Sequence, residues 1–139
     1  MTKRGQILTW NKNYEFGIDA IDFQHHYFLE LINRIAENLL EPGNIKFQGR
    51  LIEELNAYAR FHFISEENIM MLNDYPEIES HRAHHHELLE ALSVRGTKLA
   101  IEPSEEESRQ IIYFLSDWFM KHTLHEDKLY ADYISRKNS

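Results

Sequence analysis

Nine histidines occur in 139 residues, and five of them are placed rather than scattered. His62 and Glu66 form an H-x-x-x-E pair, and His81 and His85 an H-x-x-x-H pair. His122 precedes Asp127 by five residues, and His25 ends the run Asp22-Phe23-Gln24-His25. On a helix, a step of four residues overshoots a full turn by about 40° and rises about 6 Å, so each four-residue pair presents both side chains on one face. Imidazole and carboxylate together are ligands for iron, and equally for zinc, copper, nickel or manganese. The chain has no cysteine, which removes disulfides, thiolate metal sites and cysteine nucleophiles.

The elements that must position these groups follow from periodicity and punctuation. Breaks fall at Glu41-Pro42-Gly43-Asn44, Asp74-Tyr75-Pro76 and Glu102-Pro103-Ser104. Ser104 and Glu107 make a capping box that marks the start of the last helix. Between the breaks, apolar residues recur at steps of three and four. The seams are Ile21, Phe28, Ile32, Ile35 and Leu39; then Leu51, Leu55, Tyr58 and Ile69; then Ile78, Leu88 and Leu92; then Ile111, Leu115 and Trp118. These spacings predict an all-α fold: an up-down-up-down four-helix bundle, with helices over about 20–41, 46–74, 77–100 and 104–127. Residues 1–19 are expected to form an extended N-terminal arm, with Trp10, Tyr14, Phe16 and Ile18 lying across the bundle. The whole chain, 1–139, reads as one domain.

His25, His62, His81, His85 and His122 all fall inside those seams, at least one per helix, and Glu66 continues the stripe of His62. A buried imidazole or carboxylate without a partner costs about 1–3 kcal/mol or more, against a total fold stability of roughly 5–15 kcal/mol. Several in one core must therefore be satisfied together, and a metal centre does that. His26, His84, His86 and His125 are expected to point outward, because a one-residue step turns about 100° away from the seam.

This ordered set of motifs resembles the hemerythrin family, in particular its bacterial single-domain members. The arm from Trp10 to Ile18 is similar to that family's N-terminal segment, so the resemblance extends over nearly the whole chain. It implies that His81, His85 and His122 hold one iron, that His25 and His62 hold the other, and that Glu66 and Asp127 bridge them. The implied cofactor is two iron ions with a bridging oxide or hydroxide. Counting donors on two octahedral ions then leaves one position open, on the ion with two histidines, where a diatomic ligand could sit. The implied activity is reversible O2 binding for storage, delivery or sensing, with no catalytic residues. A histidine-rich set stabilises ferric iron less than the carboxylate-rich sites of di-iron oxidases, which favours release of O2 unchanged. Phe28, Trp118, Phe119 and Leu124 are the expected lining of a dry O2 pocket. Two alternatives stand at this point: a di-iron peroxidase, oxidase or nitric-oxide-reducing enzyme, or zinc in a purely structural role.

One feature resists regular helical geometry. Five residues separate His122 from Asp127, about 140° around an α-helix, so a π-bulge or a loosened last turn must realign them.

The net charge of −8 argues against nucleic acid as a partner. No apolar run reaches the length of a signal peptide or a membrane span, so a cytoplasmic location is the expectation. A monomer is also expected, with O2 as the ligand that the resemblance implies.

Overall fold

A computed structural model describes residues 8–40 and 45–138, with the side chains of Thr123 and Leu124 left out. A short 3-10 turn, Lys12–Tyr14, leads into four rods. These are α1 (Asp19–Leu40), α2 (Ile45–Leu72), α3 (Ile78–Ile101) and a fourth rod built of α4 (Glu105–Trp118), a π-helical segment (Phe119–Glu126) and α5 (Asp127–Lys137). Consecutive rods pack on one another, and α1 also packs on α4, which closes the ring of an up-down-up-down bundle.

Local chemistry sets most boundaries. Ser104 Oγ accepts the Glu107 N–H at 3.0 Å and caps α4. Asp74 adopts φ 54° at the turn that separates α2 from α3, just ahead of Pro76. The first expected break, 41–44, lies outside the described residues.

The expected end of the last helix at 127 is too early. The rod runs on to Lys137, because Tyr130 and Ile134 prolong the buried seam and pack beside Met70 and Tyr75. Lys128, Asp132, Arg136 and Lys137 around them mask that seam in the sequence.

Two apolar clusters result. The larger contains Phe28, Leu55, Phe63, Leu115, Trp118 and Phe119; the smaller contains Met70, Tyr75, Tyr130 and Ile134. Between them in each rod lies a polar layer at His25, His62 to Glu66, His81 to His85, and His122 to Asp127. From Leu8 onward the arm crosses this bundle. Leu8 exchanges two hydrogen bonds with Asn33, Trp10 lies 4.5 Å from the His26 ring, and Tyr14 is buried against Phe119. The Asp22 carboxylate fixes the entry to α1 by accepting the Phe16 and Gly17 N–H groups at 2.7 and 3.0 Å. Gly17 supplies the φ of 86° that this turn needs. Among the described residues, no helix is long and apolar enough to cross a membrane.

Candidate metal centre

All seven residues singled out as ligands converge in the polar layer, and none is more than 6% exposed. The five imidazoles each turn Nε2 inward onto a carboxylate oxygen. Asp127 Oδ1 lies 3.2 Å from His81 and 3.1 Å from His122, while its Oδ2 lies 3.0 Å from His25. Glu66 Oε1 lies 3.5 Å from His62 and 3.3 Å from His85, and its Oε2 lies 3.6 Å from His25. Each carboxylate therefore divides its two oxygens between two sets of imidazoles.

The π segment is what brings Asp127 into this layer. Its N–H donates to the His122 carbonyl, a five-residue hydrogen bond, so the two side chains meet on one face.

Two groups of donors result, each with its ligand atoms within 4.8 Å of one another: His81, His85, His122 and Asp127, and His25, His62, Glu66 and Asp127. Their atoms fit a metal. His85 Nε2 and His122 Nε2 stand 3.1 Å apart. Two nitrogens bound at right angles to one ion at about 2.1 Å are separated by about 3.0 Å. Glu66 Oε1 is buried with no hydrogen-bond partner among the described residues, as an acceptor reserved for a cation would be. The donors are all nitrogen and oxygen, compatible with iron in an octahedral setting.

Protons compensate the charge in the metal-free chain. Burial lowers the pKa of His25, but its hydrogen bonds to Asp127 and Glu66 outweigh that and carry it up to about 9. Burial likewise opposes His122, yet Asp127 and then Glu126 bring it to about 10. His62, where burial dominates, falls to about 4 and stays neutral. Burial also works against ionising the two carboxylates, but the surrounding imidazoles hold Glu66 below and Asp127 well below the usual range. Two imidazolium ions thus face two carboxylates in the core.

Several contributors were not anticipated from sequence. Tyr130, fully buried, donates its hydroxyl to Glu66 Oε2 at 2.9 Å, and burial with the adjacent Glu66 and Asp127 charges raises its pKa well above 10. Gln24 Oε1 accepts from His62 Nδ1 at 2.7 Å, and Glu67 Oε2 from His85 Nδ1 at 2.9 Å. Phe63 stacks on His85 with centroids 3.9 Å apart. The one available signal was Tyr130, three residues after Asp127 on the same seam. His26, His86 and His125 are exposed and His84 is half-exposed, so none joins the core layer.

A small cavity of about 10 Å3, room for about one water-sized molecule, adjoins the layer. Phe28, Phe63, Leu115 and Trp118 are among its lining residues, which are all aliphatic or aromatic. Three of them reach the imidazoles: Phe28 lies 5.6 Å from His62, and Trp118 stacks 5.6 Å from His122, while Phe63 covers His85. Of the four expected pocket residues, Phe28 and Trp118 line this cavity. Phe119 does not; it is fully buried beside Phe28 and Tyr14. Leu124 lies outside the described side chains.

Comparison with known proteins agrees with this geometry. The family model described as "Hemerythrin HHE cation binding domain" matches residues 17–134. A bacteriohemerythrin of Stenotrophomonas maltophilia is 28% identical over 92% of this chain and 82% of its own length. One from Clostridium acetobutylicum is 25% identical over 91% of this chain and 100% of its own. A wild-type hemerythrin crystal structure superposes with a TM-score of 0.81 at 25% identity, covering 93% of this chain and 98% of that one, and a hemerythrin mutant does so at 0.83.

Proposed function

The chain belongs to the hemerythrin family, and from that premise we propose that it binds O2 reversibly at two iron ions held by His25, His62, Glu66, His81, His85, His122 and Asp127. The observation that carries this reading is the division of the Asp127 carboxylate. Asp127 turns one oxygen to His81 and His122 and the other to His25, as a bridge between two ions would. Glu66 turns Oε1 to both His62 and His85, one imidazole from each group, and Oε2 to His25, so it too stands between the two groups.

In this reading His81, His85 and His122 hold one iron, His25 and His62 the other, and an oxide or hydroxide completes the bridge. When bound, the iron pair supplies two electrons and an open coordination position for a diatomic ligand.

The chain's own residues then do three things. The five imidazoles and two carboxylates fix the ions from four rods at once, so no single rod can withdraw a ligand without disturbing the bundle. Tyr130 holds Glu66 by its Oε2, which sets the carboxylate plane. Phe28, Phe63 and Trp118 keep water from the imidazole edges and leave an apolar space for a small uncharged gas. That lining offers no acid or base to a substrate, which favours binding over turnover. Storage, delivery and sensing are all served by the same chemistry.

The test is metal content. The purified protein loaded anaerobically with ferrous iron should hold two irons per chain, and His25→Ala should hold one. A single iron in the parent protein, or zinc retained in preference to iron, would remove the proposal.

A further inference from the structure

The two halves of the centre differ in what stands behind their imidazoles. On the three-histidine side, His85 Nδ1 meets Glu67 Oε2 at 2.9 Å, and His122 Nδ1 stands 3.3 Å from Glu126 Oε2, an ionic contact rather than an aligned hydrogen bond. Both of these outer groups are carboxylates near the surface. Arg82 Nε sits 3.7 Å from Glu67, and His84 Nε2 sits 3.7 Å from Glu126. On the two-histidine side, His62 Nδ1 meets a neutral amide, Gln24, whose own nitrogen donates to Ser65 Oγ at 3.3 Å. Among the described residues, none forms a hydrogen bond with the buried His25 Nδ1.

An imidazole that donates its outer N–H to a carboxylate gives its inner nitrogen more electron density than one that donates to an amide, and an anion behind the ring stabilises positive charge in front of it. The outer partners that the structure shows are thus sorted: carboxylates behind His85 and His122 of one group, a neutral amide behind His62 of the other. Resting on the two-iron reading above, we propose that Glu67 and Glu126 act as positioning residues that make the three-histidine position the holder of the higher charge. The two-histidine position, with weaker donors, is left as the one that exchanges its ligand. The asymmetry needed for reversible binding is then built twice, once in the number of imidazoles and once in the charge behind them.

The experiment compares the parent protein, Glu67→Gln, Glu126→Gln and the reciprocal Gln24→Glu, each loaded with iron and titrated with dithionite at fixed solution potentials. The two carboxylate replacements should favour the reduced form on the order of tenfold, and Gln24→Glu should move the equilibrium the opposite way. A second arm uses the zinc-loaded protein, where 15N-resolved NMR reads the Nδ1–H protons of His85, His122 and His62. Those of His85 and His122 should move upfield in their respective glutamine variants, and that of His62 downfield in Gln24→Glu, shifts that a purely structural role would not produce. Failure of the two-iron reading shows separately, as fewer than two irons in the parent. Two irons retained with unmoved equilibria and unmoved Nδ1–H signals overturns the inference. So does loss of iron in the glutamine variants if Gln24→Glu leaves the equilibrium where it was.

Discussion

His122 and Asp127 are five residues apart and their side chains meet at 3.1 Å, because the backbone between them is π-helical rather than α-helical. A regular α-helix would set them about 140° apart and send Asp127 out of the polar layer. The irregular turn is therefore a structural requirement of the centre, held in place by the Asp127 N–H donating to the His122 carbonyl.

The register of Asp127 against His122 is what this turn supplies. Deletion of His125, an exposed position, leaves Asp127 four residues after His122, a step that a regular α-helix also places on one face, so iron content should stay near two per chain. Insertion of an alanine after His125 makes the step six residues and should lower iron content below two, with far-ultraviolet helicity nearly unchanged. Full iron content in the insertion variant would show that Asp127 need not face His122.

Glu66→Ala should lose iron and stability together. It removes a carboxylate facing three imidazoles and strips the buried Tyr130 hydroxyl of its acceptor, at about 1–3 kcal/mol for the unsatisfied group alone. Metal analysis and thermal unfolding read the two effects. Parent-like iron content would show that Glu66 is not a ligand.

The helices and the histidines were readable from the chain because both obey the same period: a ligand in a seam is a polar residue where the period calls for an apolar one, as at His62 and His85. Asp127 was readable only by resemblance, since no α-helical spacing puts it beside His122. Gln24 and Glu67 were not readable at all. Each is next in sequence to a ligand and so starts about 100° away from it, and each works by reaching a neighbouring rod, Gln24 from α1 to His62 and Glu67 from α2 to His85. The helical extension to Lys137 was hidden by its charged residues, although Tyr130 and Ile134 sit one turn apart on the buried side.

The metal-free protein should lose stability as the solution becomes alkaline. His25 and His122 have folded pKa values of about 9 and about 10, above the 6.5 of the free imidazole. Their contribution is therefore complete below about 6.5 and disappears as pH rises through 9 and 10. His62, lowered to about 4, adds the opposite loss as pH falls from 6.5 toward 4. Thermal unfolding of metal-free protein between pH 4 and 11 should trace a maximum near neutrality. Metal uptake at pH 7 should release about two protons per chain, since ligation displaces them. A flat alkaline limb, or uptake without proton release, would contradict the assignment.

Trp118→Ala should shorten the life of the oxygenated protein. The indole stacks on His122 and lines the apolar cavity, so its loss costs about 3–5 kcal/mol and admits water to the imidazole edges. The rate of irreversible oxidation in air, followed in the visible spectrum, should rise several-fold. An unchanged rate would show that the cavity does not guard the site.

The most direct test of the whole account is a visible spectrum taken through repeated cycles of O2. Anaerobic reduced protein, exposed to air and then evacuated, should show a ligand-to-metal charge-transfer band that rises with O2, falls on evacuation and returns on the next cycle, with two irons per chain throughout. A colourless protein, or a band that rises once and never falls, would contradict it.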